Sequence, residues 1–212
     1  MIDNDKHEVL KRQTIFKGEE ITVKRYWKHL ESQRVWKTRI LTLRQDKYHF
    51  LPNDIIRDFT VLEFNDWVNI IPVTADGDVV MIRQYRIGMQ KETIEIPGGV
   101  VSRHDMSPKH AAVREMQEET GYFSEDVIHI GTVHPNPAIQ NNKCYTYLAR
   151  DAYPKSAQML DPTEAIKIEL LKKEAIFKMI KNAEITHGLV ISAFAYLMLY
   201  ENSSQRSAFS KE

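Results

Sequence analysis

Cysteine is nearly lacking: Cys144 is the only one among 212 residues, so no disulfide framework can form within one chain. That composition suits a reducing cytoplasm. An excess of charge is lacking too, since 29 Lys and Arg balance 29 Asp and Glu. No global positive field therefore favours a nucleic-acid backbone, and nucleic acid is not an expected partner. Long apolar runs are missing. The most apolar stretch, residues 189–200, is too short to span a bilayer and reads as a buried helix. Residues 1–7 are charged and carry no apolar core of a signal peptide. No internal repeat or low-complexity linker interrupts the chain. Cys144 could be a nucleophile, but on an alternating strand a small buried apolar role suits it better.

What is present is enough for one substantial domain with a small N-terminal extension. Alternating segments at 20–27 and 37–43, with 48–50 and 59–62, predict a small antiparallel sheet at the N-terminus. Residues 66–73 and 79–86 read as two strands joined as a hairpin by an Asp-Gly turn at Asp76-Gly77. Further strands are expected at 127–133, 143–150 and 164–171, and helices at 174–181 and 187–202. Residues 203–212 are expected to be a frayed tail. Strands on both sides of a central helix, followed by a helical C-terminus, predict an α/β fold: an α/β/α sandwich around a mixed sheet.

The central helix is the most informative segment. Ser107 is a natural N-cap, Pro108 suits the first helical position, and Gly121 is the expected left-handed stop. Between them Ala111, Ala112, Val113 and Met116 make an apolar side. Glu115, Glu118 and Glu119 stand at i, i+3 and i+4, so three carboxylates leave one face. Such clusters are usually solvated acidic faces. Here Arg114 offers partial neutralisation, and a hard divalent cation would complete it, because Mg²⁺ takes oxygen ligands and shares its shell with phosphates. Upstream, Glu95-Ile96-Pro97-Gly98-Gly99 reads as a strand end and a tight glycine turn, where backbone can approach a ligand closely.

Residues 99–122 resemble the signature of the Nudix hydrolases, G-x5-E-x7-R-E-U-x-E-E-x-G-U, with U a bulky apolar residue. Arg114, Glu115, Met116, Glu118, Glu119 and Gly121 match, and Tyr122 matches loosely. The first half departs: Asp105 stands where Glu is expected, and eight residues rather than seven precede Arg114. In the family that Glu supports the loop and helix, so Asp105 reads as a shortened substitute. Arg83-Gln84-Tyr85-Arg86, the Glu95–Gly99 stretch, His134-Pro135-Asn136-Pro137 and residues 141–149 are similar to the ADP-ribose pyrophosphatase and nucleoside-diphosphate-sugar branch.

The resemblance implies a fold, a reaction and a set of roles. Residues 65–202 would be the Nudix hydrolase domain, and residues 1–64 a β extension that pairs across a homodimer. The cofactor would be Mg²⁺, with Mn²⁺ as a substitute, and the substrate a nucleoside diphosphate sugar split into a monophosphate and a sugar phosphate. Glu115 and Glu119 would bind metal, Glu118 would share it or orient water, and the Gly98 carbonyl is a candidate backbone ligand. Arg114 would hold the glutamates in place. The base is Glu164 or Asp161 from the loop Leu160-Asp161-Pro162-Thr163-Glu164-Ala165-Ile166, unless metal alone activates the water. Arg83, Arg86 and Glu95 are the substrate candidates. Tyr26, Trp27 or Trp36 could stack on a base, and Asn136 or Gln140 read a sugar or base edge. His104 and His110 are expected to be solvated; His134 is left open. Two rivals stand beside this reading: a non-catalytic nucleotide-sensing module, and a hydrolase of dinucleoside polyphosphates. The sensor would be expected to have lost helix glutamates, and this chain keeps all three.

Glu119→Gln is expected to lower turnover by at least about a hundredfold while leaving the fold intact. Asp105→Glu is expected to matter less than any change at Glu115 or Glu119. Steady-state kinetics beside a thermal melt checks both.

Overall fold

A computed structural model describes residues 23–209, with side chains through residue 203. The chain divides into two compact units, one of residues up to 38 with 42–61, the other of residues 39–41 with those from 62 onward.

The first unit is an antiparallel sheet in the order β1-β2-β3, from β1 (Trp27–Lys37), β2 (Thr42–Phe50) and β3 (Ile55–Glu63), whose last two residues belong to the second unit. The strand expected at 20–27 is instead a 3₁₀ turn at Val23–Tyr26 followed by β1, and residues 20–22 lie outside the described residues. The segment expected as a strand at 37–43 straddles the turn between β1 and β2. All eleven residues of β1 are exposed, so no buried face imposed the alternation by which a strand is recognised. Trp27 packs against Tyr48, Phe50 and Phe59, and Asp46 is buried beneath Arg44 and Ser32.

The second unit contains β4 (Trp67–Pro72), β5 (Asp78–Arg86), β6 (Lys91–Glu95), β7 (Gly98–Val100), α1 (Pro108–Thr120), β8 (Tyr122–Phe123), β9 (Asp126–Val133), β10 (Cys144–Arg150), β11 (Tyr153–Pro154), β12 (Ile166–Lys172), α2 (Lys173–Lys181) and α3 (Gly188–Phe209). One sheet has the order β7-β4-β10-β9 and is mixed, since β4 and β10 run parallel and the other pairs antiparallel. A second, antiparallel sheet has the order β12-β5-β6, and β8 pairs with β11. The expected hairpin of β4 and β5 is therefore not a ladder. The turn forms, with Gly77 at φ +77°, but Val73 and Val79 make a single bridge before the strands part into separate sheets. Each strand finds better-matched partners elsewhere.

Five of the six residues of β4 are buried, polar Asn69 among them, as befits a strand covered on both faces. Val68 and Ile70 pack beneath α1 with Ala111, Ala112 and Met116. Ile71, on the opposite face, joins Met81, Ile94, Leu148, Ile176 and Phe194 in the larger core that α2 and α3 close. This is the expected α/β/α layering around a mixed sheet. Cys144 is wholly buried in β10, where burial and nearby Asp66 push its thiol up to about 12, so it is inert packing. Helix α3 runs past residue 202, where the sequence predicted its end, and residues 210–212 lie outside the described residues. Among the described residues no helix is long and apolar enough to cross a membrane.

Gly121 ends α1 at φ +71°, with its N–H donating to Gln117 O at 2.8 Å. A side chain there would strike the carbonyl of Ser156. Gly121→Ala is therefore expected to cost about 1–3 kcal/mol, read as a lowered midpoint in urea with an unchanged slope.

Candidate active site

Helix α1 begins as its sequence predicted, with Pro108 in the first turn and Ser107 Oγ accepting from the His110 N–H at 3.1 Å. Its apolar side docks on β4 and tilts the three glutamates to different depths. The Glu118 side chain is 39 % exposed and that of Glu115 16 %, whereas Glu119 is 5 % exposed and lies on the docked side with Met116. Glu119 Oε2 accepts from the Gly98 N–H at 2.9 Å. Gly98 and Gly99 do not form the expected tight turn. They belong to β7, paired with β4 at Asn69–Gly98 and Val68–Gly99. Their glycine identity serves close approach: a Cβ on Gly98 would strike Val68 O, and one on Gly99 the Glu115 carboxylate.

Asp105 carries the loop as a shortened substitute should. Its side chain is 1 % exposed, takes Arg114 in a two-pronged pair at 3.0 and 3.1 Å, and accepts from the Ser102 N–H at 2.9 Å. The Asp105 N–H closes that turn on Ser102 O at 3.1 Å. His110 is exposed, as expected, and places Nδ1 2.9 Å from Asp105 Oδ1. Arg114 holds Asp105 well below the ordinary carboxylate range. The same guanidinium reaches Glu118 Oε2 at 2.8 Å and Glu115 Oε1 at 2.9 Å, two of the three glutamates it is expected to hold.

Positive charge nevertheless runs short. Burial pushes Glu119 up to about 8, with the charges of Glu115 and Glu164 adding to the rise and the Gly98 N–H opposing it. Burial also raises Glu115, against the pull of Arg114. Among the described residues, no three Asp, Glu, His or Cys side chains are already gathered around one point. Buried, mutually repelling carboxylates beside a close-approaching glycine backbone fit a hard divalent cation, which would reverse those shifts.

The loop carrying Glu164 is clamped onto α1. Gln158 Nε2 donates to Glu119 O at 2.6 Å and to Ile166 O at 3.2 Å, and the Met159 N–H donates to Glu118 O at 2.8 Å. Glu164 is exposed, with Oε2 accepting from the Asp161 N–H at 3.0 Å, and its charge is felt at Glu115, Glu119 and Arg86. Asp161 lies in the same turn and is exposed.

The two arginines of β5 part company. Side chains alternate along a strand, so residues three apart lie on opposite faces. Arg86 makes a two-pronged pair with Glu95 at 2.8 and 2.6 Å, on the face whose charge is coupled to Glu119 and Glu164. Arg83 pairs instead with Glu169 on the other face, at 2.9 and 3.2 Å. Glu95 is 2 % exposed; burial pushes its carboxyl up, but Arg86 and Thr93 outweigh burial and hold it below the ordinary value. Thr93, which donates to Glu95 Oε1, and Gln158 are members of this neighbourhood that sequence reasoning passed over. The two-residue spacing of Thr93 and Glu95 could have revealed the first; no local pattern marks the second. Asn136 and Gln140 close a turn on one another's backbone, with Gln140 N–H donating to Asn136 O at 2.8 Å. In the first unit, Trp27, Phe50, Ile55, Arg57 and Phe59 line a cavity of about 370 Å³.

Comparison with known proteins agrees with this geometry. The NUDIX domain family profile matches residues 64–194, and the chain belongs to that family, the Nudix hydrolases, which use a divalent metal. It is similar to the ADP-ribose pyrophosphatase of Bacillus subtilis strain 168, 23% identical over 82% of this chain and 94% of that protein. It is also similar to the methanol dehydrogenase activator of Bacillus methanolicus, 27% identical over the same shares of the two chains, 82% and 94%. A crystal structure of an ADP compounds hydrolase has the same fold, with a TM-score of 0.75 and 21% identity over 85% of this chain and 96% of that one.

The raised Glu119 has a thermodynamic signature. Below pH about 4.5 the carboxyl is protonated whether folded or unfolded; between about 4.5 and 8 only the unfolded chain ionises readily, so stability without metal falls as pH rises. In chelator, Glu119→Gln is expected to raise stability at pH 8.5 by roughly 1–3 kcal/mol and to change little at pH 4.5. Urea titrations at the two pH values test this. An equal effect at both would refute the buried-charge account.

Proposed function

We propose that this Nudix hydrolase is a Mg²⁺-dependent pyrophosphohydrolase of a nucleoside diphosphate sugar, ADP-ribose or a related ADP- or GDP-sugar, with Mn²⁺ as a substitute ion. One observation carries the reading: buried carboxylates short of positive charge stand in electrostatic range of the Arg86 guanidinium, whose own partner Glu95 is buried. Such a site suits a polyanion delivered with a divalent cation. The similarity to an ADP-ribose pyrophosphatase supports the sugar branch.

Glu115, Glu119 and Glu118, with the Gly98 carbonyl, would hold the cation. Bound there, it supplies neutralisation of the diphosphate and acidification of water. The chain's own groups do the rest. Arg86, 42 % exposed and oriented by Glu95, binds a phosphate oxygen through its outward edge. Arg83, tied to Glu169 on the other face, enters only if that pair opens. Glu164 accepts the proton of the attacking water, with Asp161 as the alternative acceptor. The water oxygen bonds to one phosphorus as the bridging P–O bond breaks, which leaves a nucleoside monophosphate and a sugar phosphate. The aromatic cavity around Trp27 supports a stacking role for the first unit; Tyr26 and Trp36 are the other candidates. Trp36 at 63% exposure and Val35 at 54% support a homodimer through that unit. We place the protein in the cytoplasm, consistent with its single buried thiol.

A nucleotide panel tests the activity: ADP-ribose, ADP-glucose, GDP-mannose, a dinucleoside polyphosphate and a nucleoside triphosphate, with and without Mg²⁺, with products separated by chromatography. Metal-dependent release of a nucleoside monophosphate and a sugar phosphate is the expected result. Binding without turnover would make the chain a sensor. Preference for the dinucleoside polyphosphate would refute the sugar reading. On the best substrate, Glu164→Gln is expected to lower kcat about 10²–10⁴-fold with KM little changed.

A further inference from the structure

A third polar side chain shares the face of β5 that holds Arg86. Directly opposed residues of an antiparallel ladder point the same way, and β6 opposes β5 at Ile82–Glu95, Gln84–Thr93 and Arg86–Lys91. Gln84 therefore projects between Ile82 and Arg86, next to Thr93 and diagonal to Glu95. On its other flank it is opposed by Ile166, two residues beyond Glu164. The Arg86–Glu95 pair, Thr93 and the end of the Glu164 loop surround it.

The three polar side chains nearest Gln84 on this face are engaged. Thr93 donates to Glu95, and Glu95 takes both prongs of Arg86. Gln84 Nε2 is buried with no hydrogen-bond partner. Among the described residues only Asn142 and His187 also carry such an atom, and neither belongs to this ladder. A buried N–H donor without an acceptor is held at a free-energy cost, which a ligand that supplies the acceptor removes. Its chemistry narrows what that ligand offers. The unmet group is a neutral N–H donor, and a hydroxyl oxygen can accept from it. A phosphate oxygen is better served by the charged guanidinium of Arg86. A strand rises about 3.4 Å per residue, so Gln84 stands about 7 Å from Arg86, the scale of one sugar ring beyond a phosphate.

We propose that Gln84 contacts the substrate and reads a hydroxyl of the sugar attached to the diphosphate. This role rests on the diphosphate-sugar reading above. Arg86 binds the charge that all such substrates share, and Gln84 discriminates by what the charge is attached to. A substrate whose second phosphate carries no hydroxylated group forgoes this contact.

The test compares ADP-ribose with the methyl ester of ADP, which keeps the diphosphate and lacks the sugar. Gln84→Leu removes the amide at similar volume, and Gln84→Met is the second variant should the first fail to fold. Thermal melts are expected to show either variant at least as stable as the parent, because an unpaired buried group has gone. In kcat/KM, the loss on ADP-ribose is expected to exceed the loss on the methyl ester by about tenfold or more, chiefly through KM. Equal losses on both esters, or none, would overturn the role of Gln84 alone. A parent protein that hydrolyses neither ester, nor the ADP-glucose and GDP-mannose of the panel, would overturn the diphosphate-sugar reading and this role with it.

Discussion

The rest of the structure depends on one constraint: a carboxylate, Glu119, is buried on the docked side of α1 with a single backbone N–H to meet it. Left to itself, such a group holds its proton. Neighbouring Glu115 and Glu164 deepen the conflict rather than relieve it. The surroundings contain the conflict without resolving it. Arg114 is shared among Asp105, Glu115 and Glu118, Arg86 is committed to Glu95, and neither pairs with Glu119. Burial that is costly for a bare carboxylate becomes an asset when a divalent cation enters, since low polarity strengthens the attraction of opposite charges.

Two anchors keep the unstable arrangement in register. On one flank Asp105 ties the loop before α1 to Arg114, His110 and the Ser102 N–H. On the other flank Gln158 and Met159 fasten the Glu164 loop to the last turn of α1. Helix, loop and glycine strand are thus held by one another. A helix face with three carboxylates would otherwise be free to splay.

The alternation of β5 separates two chemically identical residues. Arg83 joins β5 to β12 through Glu169 and contributes to the sheet. Arg86, three residues on, turns to the other face, where the buried carboxylate of Glu95 orients it. Removing one member of such a buried pair leaves the other's charge uncompensated, so each holds the other in position. The first unit follows a different logic. Its β1 buries none of its eleven residues, and its organisation comes from an aromatic cluster on the neighbouring strands.

The sequence by itself determined α1 almost to the residue, because both helix ends carry chemistry that acts locally: a serine cap, a first-turn proline and a left-handed glycine. It also determined the carboxylate face, since helical spacing is a property of the backbone. Tertiary structure decided the remainder. Whether β4 and β5 form a hairpin or part into two sheets depends on which distant strands compete for their edges. Whether Gly98 and Gly99 turn or run straight depends on β4 passing beside them, and which of three equivalent glutamates is buried depends on how α1 docks. These outcomes arise from contacts between residues far apart in the chain, and no local pattern of side chains encodes them.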